Sequence, residues 1–312
     1  MSITVVGSIA FDAVETPFGQ RDRMLGGAAT HFALAASLLH PVRVVGPVGD
    51  DFGDQEMDVL RTRGTNVDDV ERVAGGRTFF WKGRYGWDLN TRDTLDTQLN
   101  VFEHFAPKLS DASRDAEVLF LANIQPGLQL QVREQCQAAQ FVALDSMNLW
   151  IDIARDELTE IIGRVDCLIL TDEELRQLTG KPNLISAARE ILDGWGPSAV
   201  VAKQGEYGSA LITAEDFFAL PAYPLHEVVD PTGAGDTFAG GFVGFIASQL
   251  GRPRDGEVLR NAMAYGTALA SFNVERFGTE GLQDADLPGI RQRVADLERF
   301  ARFTPIDVDL NG

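Results

Sequence analysis

Val229-Asp230-Pro231-Thr232-Gly233-Ala234-Gly235-Asp236-Thr237-Phe238-Ala239-Gly240-Gly241-Phe242 is the stretch on which the reading of this chain turns. Leu225 to Val229 reads as the end of a strand, Pro231 to Gly233 as a turn, and Ala234 to Leu250 as a helix of small and apolar residues. Gly233 and Gly235 keep side chains away from the backbone, and the helix start aims unpaired N–H groups and a positive dipole end into the cleared space. Such a junction is an anion site. Asp236, in the first helical turn, has two readings: a carboxylate favoured by the helix dipole, or a base beside the anion that takes a proton from an attacking hydroxyl.

Composition bounds what the rest can be. The chain has 312 residues, 45% hydrophobic and 23% charged, enough for one large α/β domain or two modest ones, with a sizeable core. Its formal net charge of -19 argues against nucleic-acid and anionic-membrane partners, which need a basic surface. A small phosphate compound remains compatible, since it needs only a local ring of N–H groups and one or two cations. Cys136 and Cys167 lack any CxxC or His-rich setting and are expected as core thiols. The N-terminus runs straight into Ile3-Thr4-Val5-Val6, no stretch of about 18 apolar residues occurs, and a cytoplasmic protein is expected.

Taken in order, Ile3 to Ile9 reads as a strand followed by Asp12, and Leu25-Gly26-Gly27-Ala28 opens a helix through Leu39. A strand at Val42 to Val48 and a helix at Asp54 to Arg63 continue a strand–helix alternation that implies a parallel sheet with crossover helices. Between Val67 and Val101 the period changes to two, with Arg77, Phe79, Trp81, Lys82, Arg84 and Tyr85 interleaved, which implies a small flap with one wet face. Trp81, Tyr85 and Trp87 either shelter a ligand or pack the flap onto the body. The alternation then resumes, placing Asn123, Asp145 and Thr171 at strand C-terminal ends, where open α/β sheets bind ligands. Ala199 to Lys203 reads as a strand, and Gly205 and Gly208 as hairpin glycines before Ser209 to Thr213.

Other templates fail. Phe238 stands where a dinucleotide fingerprint needs its third glycine, and there is no Gly-Lys-Ser/Thr loop, HExxH or Gly-x-Ser-x-Gly. Phosphoryl transfer without a Walker lysine is what survives.

Asp230 to Phe242 closely resembles the second signature of the ribokinase-like (PfkB) family of carbohydrate and nucleoside kinases, and Gly26-Gly27 with its helix resembles the first. The likeness spans essentially the whole chain. It implies a three-layer α/β/α fold with a mostly parallel central sheet, one domain over residues 1–312, and a β-strand lid at about 76–102 with 13–19 contributing. It further implies ATP and Mg²⁺, with K⁺ as an additional cation, and a small-molecule acceptor.

Residue by residue, the resemblance implies Asp236 as base and the amides of Gly233, Ala234, Gly235 and Asp236 as the anion hole. Asp12, Gly26, Gly27, His31 and Asn123 would face the acceptor. Lys203, Gly205, Gly208, Asn261 and Tyr265 would face the nucleotide, Glu174 would organise Mg²⁺ through water, and Asp230 would help hold a monovalent cation. The family's Asn-x-x-Glu motif falls on Thr171 to Glu174, so Thr171 replaces its Asn. Ala10 and His31 stand where ribokinases proper carry Asn, which argues against simple ribose specificity. The expectation is an ATP-dependent kinase of a sugar or sugar derivative, with a nucleoside kinase or a non-catalytic binding protein as alternatives, and a homodimer through the lid.

Overall fold

The computed structural model describes residues 2–305; Met1 and the last residues of the expected domain, 306–312, lie outside the described residues. The chain runs through β1 (Ile3–Val6), β2 (Ala10–Thr16), β3 (Gly19–Gly26), α1 (Ala28–Ala36), β4 (Val42–Val48), α2 (Asp54–Thr62), β5 (Val70–Arg72), β6 (Phe79–Tyr85) and β7 (Arg92–Gln98). It continues through α3 (Asp111–Arg114), β8 (Val118–Leu121), α4 (Pro126–Gln135), β9 (Phe141–Asp145), α5 (Asn148–Ile153), α6 (Arg155–Ile162), β10 (Cys167–Thr171), α7 (Asp172–Thr179) and α8 (Leu184–Gly194). Last come β11 (Ala199–Lys203), β12 (Ser209–Thr213), β13 (Phe217–Leu220), α9 (Ala234–Ser248), α10 (Gly256–Val274), α11 (Glu280–Asp284) and α12 (Leu287–Ala301).

Two sheets result. The large one has the order β13-β12-β11-β10-β9-β8-β1-β4-β5, parallel except for the antiparallel β11–β12 and β12–β13 pairs. Its central strands are apolar on both faces, and their two-residue period divides them between two cores. Ile3, Val5, Val118, Phe120, Ile169 and Val201 pack with α1, α9, α10 and α12, while Val6, Leu119, Leu121, Leu168 and Val200 pack with α4, α6, α7 and α8. The sheet therefore lies between helical layers as a parallel sheet must. Cys136 and Cys167 are buried free thiols within these cores.

Close helix contacts fix α9. A Cβ on Gly240 would lie 2.5 Å from the Phe32 carbonyl of α1, and one on Gly241 would lie 2.8 Å from the Tyr265 carbonyl of α10. The second glycine pair of the signature thus serves helix packing, which sets where the α9 N-terminus points.

The small sheet has the order β3-β2-β6-β7, with β2–β6 parallel and both hairpin pairs antiparallel. It takes 10–16 and 19–26, more than the 13–19 expected, and Asp12 sits inside β2. The sequence hides this because Gln20-Arg21-Asp22-Arg23 has no apolar alternation; β3 is an exposed edge. The strand expected at Leu225 to Val229 does not form. That segment lies against no sheet edge, and the Val229 and Asp230 amides donate instead to the Val274 carbonyl at 2.8 and 3.3 Å.

Candidate active site

The C-terminal ends of β9, β10 and β11, the start of α9 and the small sheet enclose one site. Gly233 caps α9 with φ 74° and ψ 3°, a left-handed backbone that side chains resist, and a Cβ there would collide with the His31 ring. The Ala234 amide closes the turn onto the Pro231 carbonyl at 3.2 Å and the Thr237 amide bonds the Gly233 carbonyl at 2.8 Å. No side chain caps this helix start, so its dipole faces the site uncovered. Asp236 stands there half-buried, close to the helix end. Burial raises its pKa, and the cations Lys203 and Arg92 oppose that rise.

Lys203 reaches this turn. Its Nζ would be 3.1 Å from a Cβ on Gly235 and lies 3.1 and 3.2 Å from the two Asp145 oxygens, with both side chains largely buried. Burial raises Asp145 to about 7 against the pull of Lys203, with Asp236 and Glu174 adding to the rise. Burial alone would depress the Lys203 ammonium, but Asp145, Glu174 and Asp236 together raise it. Contact with both carboxylate oxygens favours the ionised pair. Lys203, expected on the nucleotide side, therefore stands against the Gly233–Asp236 turn.

Thr171 begins the Thr-x-x-Glu pattern of a helix start, and the structure shows it acting as one. Its hydroxyl accepts the Glu174 amide at 3.1 Å while Glu174 Oε2 accepts the Thr171 amide at 2.8 Å, a capping box that starts α7. Replacement of Asn by Thr thus keeps Glu174 fixed at the end of β10.

Asp12 lies on the other side of the site, 5% exposed. Burial pushes its pKa up to about 7, the Asp230 charge adds to this, and the Gly27 amide opposes it. A Cβ on Gly26 would strike Asp12 Oδ2, so the diglycine makes room for this carboxylate. Gly27, at φ 96°, is the N-cap of α1, and the Ser8 side chain accepts the Ala28 amide at 3.0 Å.

His31 is 1% exposed beneath the Gly233 turn. The Asn273 amide nitrogen donates to the Thr232 carbonyl at 2.7 Å, leaving its oxygen to accept from His31 Nδ1 at 3.0 Å. Burial lowers the imidazole to about 4, so it is neutral. His31 Nε2 has no hydrogen-bond partner among the described residues. Asp230 braces the same turn, accepting the Thr232 and Gly278 amides at 2.9 Å each, while burial raises its pKa.

The small sheet covers these groups. Trp81 is the register partner of Asp12, so both side chains share one face, and its ring lies over Gly83. Thr232 Oγ1 and the Tyr85 hydroxyl are 3.3 Å apart, and at the β6–β7 turn Asn90 Nδ2 donates to Glu206 Oε1 at 3.0 Å. Gly205 adjoins Asn90, while Gly208, with φ 103°, passes too close to the Leu220 carbonyl to carry a Cβ.

Three residues of the sequence reading have no contact among the described residues that joins them to this group. Asn123 accepts the Trp150 indole N–H at 3.0 Å, Asn261 donates to the Glu257 carbonyl at 2.9 Å, and Tyr265 stacks on Phe245. Conversely, Asn273 and Arg92 lie around the site without having been selected, and Asp145 was singled out only as a strand-end residue. The strand-end position of Asp145 was a usable signal; nothing marked Arg92 within its polar stretch.

Comparison with known proteins agrees with this architecture. The family model described as pfkB family carbohydrate kinase matches residues 2–285. The cytidine kinase of Thermococcus kodakarensis is 30% identical over 262 residues, covering 81% of this chain and 90% of the relative. The nucleoside kinase of Methanocaldococcus jannaschii superimposes with a TM-score of 0.76 at 21% identity, over 95% of this chain and 98% of that one. A putative ribokinase II from E. coli, solved in complex with ATP and Mg²⁺, gives 0.76 at 22%, over 95% and 99%. With its α9 anion turn, the Asp236 carboxylate and a match across nearly its whole length, the chain belongs to the pfkB family of carbohydrate kinases and is an ATP-dependent small-molecule kinase.

Proposed function

We propose that this kinase phosphorylates the primary hydroxyl of a ribosyl compound, with a nucleoside as the favoured acceptor. The observation that carries the choice is Trp81, an aromatic ring on the face of the small sheet that also presents Asp12. Asp12 and the Gly27 region would hold the sugar hydroxyls while the base stacks on the indole. The small sheet acts as a lid that excludes water from the reacting phosphate. Asp236 takes the proton of the attacking hydroxyl, and the uncovered α9 start with Lys203 offsets the charge that grows on the phosphoryl oxygens. The resemblance to the cytidine kinase of Thermococcus supports a nucleoside.

Mg²⁺, when bound, supplies charge neutralisation on the nucleotide phosphates. Asp145, Glu174 and Asp236 outnumber Lys203, which is the excess of oxygen donors such a cation fits. Among the described residues no three acidic, His or Cys side chains form a direct cage, so Glu174 and Asp145 would hold the ion through its water. For K⁺, Asp230 would act by ordering the 230–232 and 278 backbone around the cation, because both its oxygens already receive amides. Turnover in K⁺ against Li⁺ checks this. A cytoplasmic setting, where ATP is plentiful, fits this reading. On the lid's outer side Trp87 is 83% exposed, its ring 6.3 Å from that of Phe18, and β7 is exposed throughout; these support a homodimer through the lid, which a monomer at micromolar concentration in light scattering would overturn.

An ADP-release screen over cytidine, other nucleosides, ribose and fructose tests the acceptor. Nucleosides should give the highest kcat/KM, and Trp81→Ala should cut the preference for cytidine over ribose by roughly tenfold or more, since one stacked base contributes about 1–3 kcal/mol. Ribose preferred over every nucleoside would overturn the assignment.

A further inference from the structure

Resting on the phosphotransfer reading above, we propose that Asn273 is a positioning residue that aims the Gly233 amide of the anion turn, and that the tautomer of His31 sets which way Asn273 acts. In this role both work through the backbone of the turn and not on the reacting atoms.

The geometry begins at the end of α10. Asn273 is fully buried at the penultimate position of that helix, and the carbonyl of Val274 beside it accepts the Val229 and Asp230 amides. The Asn273 amide nitrogen donates to the Thr232 carbonyl at 2.7 Å. The Thr232 amide donates to Asp230 Oδ1 at 2.9 Å and its Oγ1 lies 3.3 Å from the Tyr85 hydroxyl, so every polar atom of Thr232 is held. A trans peptide is planar, with its carbonyl and its N–H pointing in opposite directions. Pinning the Thr232 carbonyl to Asn273 therefore turns the Gly233 N–H away from that side chain, and this N–H has no partner among the described residues. It is the first of the four amides of the proposed anion hole.

His31 decides which way round the Asn273 amide sits. An Asn side chain turned by half a rotation keeps its shape and exchanges oxygen for nitrogen. Reversed, its oxygen would face the Thr232 carbonyl, acceptor against acceptor, and the peptide would be unheld. His31 Nδ1 lies 3.0 Å from Asn273 Oδ1, and burial keeps the ring neutral with a single N–H. With that proton on Nδ1, the chain from His31 through Asn273 to the Thr232 carbonyl runs donor to acceptor throughout. His31 Nε2, without a partner among the described residues, is then a lone pair and not an orphaned N–H, the costlier of the two to bury. The other tautomer would bury that N–H unpaired and draw the Asn273 nitrogen off Thr232.

The ring is also the floor of the turn: the three atoms nearest to a Cβ built on Gly233 all belong to His31, at 2.4 to 2.5 Å. Packing between α1 and α10 alone would be served by apolar side chains, as it is throughout the surrounding core. What the polar pair adds is direction.

Spectroscopy and kinetics test the proposal. In ¹⁵N-labelled wild type near neutral pH, long-range ¹H–¹⁵N spectra should find the His31 proton on Nδ1; a proton on Nε2, or a mixture of both forms, overturns it. With ATP and whichever screened acceptor is turned over, Asn273→Leu, which keeps the volume and removes both bonds, should lose about tenfold or more in kcat with both KM values within about threefold. His31→Phe leaves a ring beneath Gly233 and should lose severalfold in kcat. The double variant should lose no more than Asn273→Leu alone, because both changes act through one hydrogen bond. By calorimetry, ADP with Mg²⁺ and aluminium fluoride, a mimic of the transferring group, should bind Asn273→Leu about tenfold more weakly than wild type, while ADP with Mg²⁺ alone binds both alike. A kcat for Asn273→Leu within about twofold of wild type, losses that add in the double variant, or unchanged aluminium fluoride affinity overturns the proposal. If Asn273→Leu does not fold, the kcat and aluminium fluoride criteria pass to His31→Phe, and the wild-type spectra stand. If wild type turns over no acceptor, the function proposed above fails by itself, and the spectra with the aluminium fluoride measurement still decide Asn273 and His31.

Discussion

Asp236 and Asp12 are two buried or half-buried carboxylates that answer to different neighbours. Burial raises the Asp236 carboxyl and Lys203 and Arg92 oppose that rise; Asp236→Asn should lower kcat by about 10³-fold or more while calorimetry finds ATP binding nearly unchanged. Asp12 is opposed only weakly, by the Gly27 amide and the Arg92 charge, and its pKa rises from 3.8 to about 7. For a carboxyl raised on folding, the associated stability is present below the unfolded pKa and is lost as pH climbs towards the folded one. The displacement corresponds to on the order of 4 kcal/mol. Asp12→Asn should therefore melt several degrees above wild type at pH 8, with the gap shrinking towards pH 4, and should lose acceptor binding; a gap independent of pH would contradict the burial argument. Residue types alone made both aspartates conspicuous, because one sits in a Gly-rich junction and the other follows the first strand. Arg92 and the Lys203–Asp145 pair were not legible in the same way, since each depends on contacts between segments far apart in the chain.

At the scale of elements, the position of α9 is decided by what α1 and α10 allow. Gly240 and Gly241 bring three helices to near-backbone contact, and the helix start that results is the rigid side of the site. Gly240→Ala should push α1 and α9 apart at a cost of about 1–3 kcal/mol and also lower kcat, because the anion turn moves with its helix. A melting temperature within a degree of wild type would show that the contact is looser than described. The α/β alternation was legible because every central strand is apolar on both faces and every crossover helix has a 3.6-residue period. β3 escaped because its face is charged, and Leu225 to Val229 misled because apolar content cannot say whether a sheet edge is there to receive it.

For the whole molecule, two sheets enclose one site, and only a few side-chain contacts close it. Asn90 to Glu206 and Tyr85 to Thr232 join the small sheet to the nucleotide-side turn and to the anion turn. Asn90→Ala should raise the KM for both substrates two- to tenfold and increase ATP hydrolysis without acceptor, measured as ADP formed in its absence, because a lid held less firmly admits water. An unchanged hydrolysis rate would mean that this bond does not govern closure. The layers of the large sheet could be anticipated from its strands; the meeting of lid tip and Glu206 could not, since nothing in either segment marks the other as its partner.

The Asn90–Glu206 bond also constrains equilibrium behaviour. In the proposed assignment one face of that contact belongs to the acceptor side and the other to the nucleotide side, so each ligand would change the fraction of molecules in which the two sides meet. The factor by which the acceptor tightens a non-hydrolysable ATP analogue must then equal the factor by which the analogue tightens the acceptor, and removal of Glu206 should bring both ratios towards one together.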